Sequence, residues 1–260
     1  MTALPSAPPA GGSAKRARPV WALALFGLLA LAGIAGLTAL GIWQLERRVW
    51  KLDLIERVDA RIHAAPVPAP GPESWASVSA TSDEYRRVAV TGRLLNDRET
   101  LVQAVSDLGG GFWVMTPLVT DRGFTVLVNR GFVPPEKRDP ATRADAQPQG
   151  AVTVAGLLRI SEPKGGFLRS NDPAAGRWYS RDVTAIGAAK GLSDVAPYFA
   201  PYFIDADSTR NPGGWPVGGL TVISFPNSHL SYALTWFTLD LMLIGAALFV
   251  IRSEMRRRRT

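Results

Sequence analysis

Residues Pro226–Ile251 read PNSHLSYALTWFTLDLMLIGAALFVI, and from Leu230 to Ile251 they hold a single charged side chain, Asp240. A bilayer core of about 30 Å takes about 20 mainly apolar residues as a helix, so a membrane span is expected over 227–251. Pro226 and Asn227 stop what precedes, and Ser228 is placed to cap the helix. At about 100° per residue, the spacings of three, four and four put His229, Tyr232, Trp236 and Asp240 on one stripe. An imidazole, a phenol, an indole and a carboxyl make a poor surface for lipid tails. That stripe is expected to face protein, a cofactor or a water-filled gap.

A second apolar run lies at the other end of the chain, Val20–Leu45, VWALALFGLLALAGIAGLTALGIWQL. It is longer than the core of a signal peptide and lacks a clear small-residue cleavage site, so it reads as a retained span over 20–45. Gly33 and Gly36 allow another helix to come close. If the two spans are antiparallel and His229 lies level with Gln44, Asp240 lies at the depth of Gly33. Arg252 and Arg256–Arg259 follow the second span, whereas no Lys or Arg occurs between Asn211 and Ile251. This asymmetry puts the C-terminus in the cytoplasm. Two spans then return the N-terminus to the same side and leave residues 46–226 outside. Arg47, Arg48 and Lys51, at the outer end of the first span, oppose the rule.

The chain has 260 residues, a net charge of +7, 20 Pro, 25 Gly and no Cys. Disulfides, thiolate metal sites and a cysteine nucleophile are excluded. Basic runs can bind nucleic acid, but beside apolar spans they read as anchors to the anionic face of a lipid bilayer, so no nucleic-acid partner is expected. Residues 1–19, rich in Ala, Pro, Gly and Ser, are expected to be disordered, and 252–260 to form a basic tail.

Between the spans, Arg47–His63 continues a helical pattern through Leu52, Ile55, Val58 and Ile62. Pro66, Pro68, Pro70 and Pro72 then predict a stiff linker. Strands are expected at Arg87–Leu95, Thr100–Val105, Phe112–Val119, Phe124–Asn129, Val152–Arg159, Tyr202–Ala206 and Gly219–Ser224. Gly109-Gly110-Gly111 reads as a flexible turn, and Asp182–Lys190 as a short helix stopped by Gly191. The fold class is therefore α+β: two transmembrane helices flanking a mainly antiparallel external β domain, a sheet or partly open barrel.

Several chemistries find no support. There is no phosphate loop of the GxxxxGK[ST] type, no HExxH zinc pair and no GxSxG elbow. The triple glycine lacks the spacing for dinucleotide binding. Asp205 and Asp207 read as carboxylates that solvate a turn, and His63 as a solvated helix residue. Arg130, after a strand, serves equally as a turn residue or a partner contact. No enzyme is expected.

The stretches GIWQLERRVWK (Gly41–Lys51), YRRVAVTGRL (Tyr85–Leu94), VLVNRGFVP (Val126–Pro134), YFIDAD (Tyr202–Asp207) and PNSHLSYALTWF (Pro226–Phe237) resemble the surfeit locus protein one family. These are membrane proteins that assist assembly of haem-copper cytochrome c oxidase. Phe132 stands where the family usually has Trp, and Asp240 in a usually apolar part of the second span. The resemblance implies a bacterial inner-membrane protein that binds haem a transiently and docks on the largest oxidase subunit and other assembly factors. It implies His229 as the ligand to the haem iron. Neutral imidazole suits that role. Tyr232, Trp236, Trp43 and Gln44 are expected at the same level, with Arg47, Arg48 and Lys51 beyond for the propionates. Plainer roles exist for each: His229 as a cap or headgroup contact, the aromatics as interfacial anchors. The rival function is a scaffold that holds an assembly intermediate without touching haem.

Overall fold

The structure is a computed structural model that describes residues 19–166, 168–192, 198–223 and 225–259. Apart from Pro19, the stretch expected to be disordered lies outside these residues. The chain divides into two units: one holds the first helix as far as Asp53 together with the residues from Phe225 on, and the other begins at Leu54 and ends just before Phe225.

Val20–His63 forms one uninterrupted helix, α1. The Ala22 N–H bonds the Pro19 carbonyl at 3.1 Å, and a proline ahead of the first turn costs the helix no hydrogen bond. Charged helix formers carry α1 on beyond the apolar run. It stops ahead of Pro66, which a helix cannot pass without losing a bond. Near its end, Arg61 donates to the carbonyls of Thr81 and Glu84.

The second unit is built from β1 (Val67–Pro68), β2 (Arg87–Leu94), β3 (Thr100–Ser106), β4 (Gly109–Thr120), β5 (Thr125–Val133), β6 (Ala151–Ile160) and β7 (Phe199–Ala206). They pair in the order β1-β2-β6-β7-β5-β4-β3, and a further pairing of β2 with β4 closes β2, β6, β7, β5 and β4 into a barrel. The closing register is short, Gly92↔Thr120 to Leu94↔Leu118. Pairing is antiparallel except for β1 on β2 and β5 on β7. The mainly antiparallel domain expected from sequence is present, as a closed barrel and not a partly open one.

Strand alternation explains the two cores. Val88, Val90, Leu94, Val126, Val128, Leu158, Tyr202 and Ile204 fill the barrel interior. Met115, Leu127 and Phe203, on the opposite face, pack under α2 (Val183–Ala189) through Val183 and Ile186. All nine residues of β5 are buried because it lies between the two cores. The Asp182 carboxylate caps α2 by accepting from the Ala185 N–H. Gly191, with φ +58, follows the helix end as expected.

Two local expectations fail. Gly109–Gly111 is not a turn but the start of β4, paired with Ala104–Ser106; the turn is Asp107-Leu108. Residues 219–223 form no strand, and Ser224 lies outside the described residues. The segment before them makes a single bridge, in which Phe132 and Val217 exchange backbone bonds. The proline-rich segment, expected as a stiff linker, is tied to the barrel. Val67 pairs with Val88, and the Pro70 carbonyl accepts from both the Tyr202 hydroxyl at 2.7 Å and the Trp75 indole at 3.0 Å.

His229–Arg259 forms α3, which runs through the basic tail without a break. The Tyr232 N–H bonds the Ser228 carbonyl at its start. α1 and α3 are each long and apolar enough to cross a membrane, and only a narrow strip of either apolar window is covered by protein.

Candidate functional site

In the first unit, α1 and α3 meet along a strip of small residues. Ala30 and Gly41 are buried on α1, Ala233 and Ala247 on α3. A Cβ on Gly41 would meet the Phe237 ring, and one on Gly33 would come within 2.9 Å of Leu243. Glycine at these two positions is what lets the larger partner seat, the usual means by which apolar helices approach in lipid.

Two polar contacts cross the strip. His229 Nδ1 lies 2.8 Å from Gln44 Oε1. An amide oxygen only accepts, so Nδ1 carries the hydrogen and the lone pair sits on Nε2. Deeper in the pair, Thr38 Oγ1 donates to Asp240 Oδ2 at 2.6 Å, while Asp240 Oδ1 is buried with no partner among the described residues. Gly33, expected opposite Asp240, instead faces Leu243. Counting depth fixes the level only to within about a turn, and the residue that answers a carboxyl is the one with a donor. Thr38 is the only hydroxyl in Val20–Leu45 and was legible on that ground.

The expected stripe divides. His229, Trp236 and Asp240 lie on the packed side, with Trp236 half-buried and its Nε1 buried without a partner. Tyr232 is 54% exposed, because it sits about 80° round the helix from Asp240, outside the contact strip. Trp43 is 53% exposed. Arg47 is exposed too, its guanidinium 4.1 Å from the Trp50 ring centre. Lys51 Nζ stands 5.2 Å from the Phe225 ring. Of the six residues named from sequence, the structure brings His229 and Gln44 into contact, sets Trp236 on the same packed face, and turns Tyr232, Trp43 and Arg47 outward.

A model of the SURF1 family matches residues 31–241. The chain belongs to the SURF1 family. It is 37% identical over 218 residues to human Surfeit locus protein 1, covering 77% of this chain and 69% of that protein. The rat protein of the same name is 36% identical over 216 residues, covering 77% and 67%. A SURF1-like protein of Monosiga brevicollis is 35% identical over 232 residues, covering 84% of each chain. Gln44, His229 and the Thr38–Asp240 pair all fall inside the SURF1 match.

The barrel of this SURF1 chain holds the polar centre that sequence reading missed. Asp205 does not solvate a turn; it is 2% exposed. Its carboxylate accepts from Asn129 Nδ2 at 2.7 Å, Arg159 Nη1 at 2.9 Å, Thr221 Oγ1 at 2.9 Å and Arg181 Nη1 at 3.0 Å. Burial pulls the Arg181 guanidinium down, but Asp205 and Glu162 outweigh it and the net shift is upward. Period-two alternation signals only that Asp205 shares a face with Phe203; the donors arrive from β5, β6 and two loops, which a linear pattern does not encode. Arg130 is likewise no surface turn residue. It is 3% exposed within β5. His63 is exposed and 3.4 Å from Asp59, as a solvated helix residue should be.

Proposed function

We propose that this chain is an assembly factor for haem-copper cytochrome c oxidase that binds haem a at the outer end of its helix pair and aids its insertion into the largest subunit. Family membership implies the oxidase-assembly role. The observation that carries the haem reading is the hydrogen bond between His229 Nδ1 and Gln44 Oε1. Histidines that hold a metal commonly donate their second ring nitrogen to an oxygen acceptor, which fixes the tautomer and raises ligand basicity. Gln44 does this for His229 and leaves Nε2 as the atom by which His229 would hold the haem iron. The buried, unpartnered Trp236 Nε1 offers a donor on the same packed face. Arg47, Arg48 and Lys51, within two turns of Gln44, supply cations for propionates. The iron, when bound, supplies only a Lewis-acid centre for the imidazole; the chain's residues bind, orient and shield, and no catalytic step is assigned.

The same reading places the protein in a bacterial inner membrane, with both termini cytoplasmic and the barrel periplasmic, on the strength of the Arg252 and Arg256–Arg259 cluster. Its partners are the largest oxidase subunit, other oxidase assembly factors and the bilayer. Alkaline phosphatase fused within the barrel is expected to be active, and inactivity there rejects this topology.

One observation favours the scaffold reading. A histidine–glutamine bond between two apolar helices is also an ordinary interhelical contact, worth about 0.6 kcal/mol in membranes. The deciding experiment is the absorption spectrum of protein purified from cells making haem a. His229→Ala is expected to lose the haem band while inserting normally, and Gln44→Leu to weaken haem retention by about 10–100-fold. An unchanged spectrum in His229→Ala returns the chain to the scaffold reading.

A further inference from the structure

The barrel unit hides most of its apolar side chains. Among its described residues five large ones stand exposed: Val105, Leu108, Leu168, Tyr198 and Val222. Three of these gather where β3 turns into β4. Val105, 85% exposed, and Val222, 72% exposed, line one groove together with Trp113 and Leu220. Leu108 lies in the turn directly after Ser106, another residue of that groove. Leu168 is next to Arg169, which donates at 3.2 Å to Gln103 Oε1, two positions before Val105 on β3. β3 is the last strand of the sheet, and an edge strand that turns apolar side chains to water recruits other chains unless something covers it.

The polar groups on the groove's inner side are already matched: Arg159 and Arg181 both pair with Asp205. What remains open to a partner is the apolar rim, with cations beside it. Lys164 and Arg169, both exposed, stand on either side of Leu168 in the chain. The place of this rim in the chain says what covers it. Val222 is seven residues ahead of His229 (229 − 222), where α3 begins. Seven extended residues reach at most about 25 Å, so Val222 stays close to the surface of any bilayer that α3 enters.

We propose that this rim of the barrel rests on the outer leaflet of the bilayer, with Val105, Leu108, Leu168 and Val222 in the headgroup zone and Lys164 and Arg169 against lipid phosphates. The inference rests on the reading of α3 as a membrane span and is independent of haem. Apolar side chains flanked by cations make an interfacial anchor, and the half-buried Trp113 suits the same level. Asp107, exposed in the turn beside Leu108, sets the depth. A carboxylate stays among hydrated headgroups, so the rim touches the leaflet without entering its hydrocarbon. The contact holds the barrel to the membrane at a surface as well as through the chain.

The chain has no cysteine, so each test position takes a single label. Val105→Cys, Val222→Cys, Gln149→Cys and Leu248→Cys are labelled with nitrobenzoxadiazole in the full chain. Each is placed one chain per nanodisc, in phosphatidylcholine and phosphatidylglycerol with a doxyl lipid as quencher. Quenching with a blue-shifted emission is expected at positions 105 and 222. Neither is expected at Gln149, which is exposed just before β6, because that strand runs about 27 Å from Ala151 to Arg159 in the groove. Leu248, on the apolar part of α3, reports the span itself. No quenching at 248 overturns the membrane reading and this inference with it, whereas quenching at 248 without quenching at 105 and 222 overturns the inference alone. A blue shift at 105 without quenching shows that protein covers the rim, and equal quenching at 149 shows that the barrel has no preferred face; either result overturns the proposal. Leu108→Asp combined with Leu168→Asp, both at exposed positions, is expected to remove most of the quenching at 105, and full quenching in that variant overturns it as well.

Discussion

Asp205 and Asp240 are both buried carboxylates, and the molecule treats them in opposite ways. Asp205 has four neighbouring side chains donating to it, two of them arginines, inside a barrel closed on itself. Asp240 has one, the Thr38 hydroxyl, and its other oxygen has none. Around Asp205 the polar groups of the barrel specify each other. The helix pair is held by a few contacts over a strip of small residues, with donors and acceptors left over at Trp236, Asn227 and Asp240.

The sharpest way to break this contrast is to remove each carboxylate. Asp205→Ala removes the most deeply buried partner of Arg159 and Arg181 and leaves them only Glu162 and Glu84, which are more exposed; breaking a buried pair costs up to about 3–5 kcal/mol. Denaturant unfolding of the barrel should show that loss. A much smaller loss would mean that the arginines find other acceptors and the barrel is less specified than its contacts suggest.

Next in size is Gly41→Leu. Its side chain must enter the space of the Phe237 ring, and overpacking of this kind costs about 1–3 kcal/mol. Disulfide formation between Thr38→Cys and Asp240→Cys should be efficient in the parent and fall sharply with Gly41→Leu added. A Thr38→Cys, Thr238→Cys pair, with position 238 exposed on α3, should link poorly in both. Equal linking of the two pairs would remove the register described above.

Asp240→Leu is expected to cost the helix pair only about 0.6 kcal/mol, the average for an interhelical hydrogen bond in membranes, and to leave insertion intact. Loss of oxidase assembly in this variant, with helix crosslinks preserved, would give Asp240 a client-facing role that the pair alone does not require.

The smallest effect is in the barrel, at Asp83. Burial pushes its carboxyl up, but hydrogen bonds from the Ser82 hydroxyl, the Ser79 N–H and Arg86 outweigh it and the net shift is downward. A depressed folded value means the carboxylate stabilises the fold fully above the ordinary aspartate value of about 3.9 and loses that contribution as pH falls through the lower, folded value. Asp83→Asn should therefore flatten the acid side of the stability curve below about pH 4. An unchanged curve would show that the Ser79–Ser82 turn holds without the charge.

Much of this layout was legible because it rests on local periodicity. The two apolar runs, the alternation in Arg87–Leu94, and the Asp182 and Gly191 signals around α2 each depend on residues within a few positions of one another. Misreadings arose where a distant segment decides. Three consecutive glycines look like a turn until β3 pairs with all of them. Asp205 looks solvated until β5, β6 and the Arg181 loop converge on it. Tyr232 shares the stripe by spacing because that arc is about 80° wide, whereas the strip that α1 covers is narrower. The His229–Gln44 contact was within reach because two antiparallel spans put their outer ends at one level, and the level is all it needed.

The parallel pairing of β5 with β7 has a consequence in time. Val128 meets Ile204, 76 positions later (204 − 128), whereas β4 and β5 are joined by only four residues, Asp121–Phe124. The hairpin forms on microseconds, but its far edge must wait for the rest of the domain, and such distant pairings set slow folding. During that wait β5 presents a bare edge of nine residues, six of them Val, Leu, Phe or Thr, the kind that recruits another chain. β7 is thus the last bolt of the barrel. A chain broken off just before Phe199 is expected to be lost to aggregation instead of surviving as a weakened barrel.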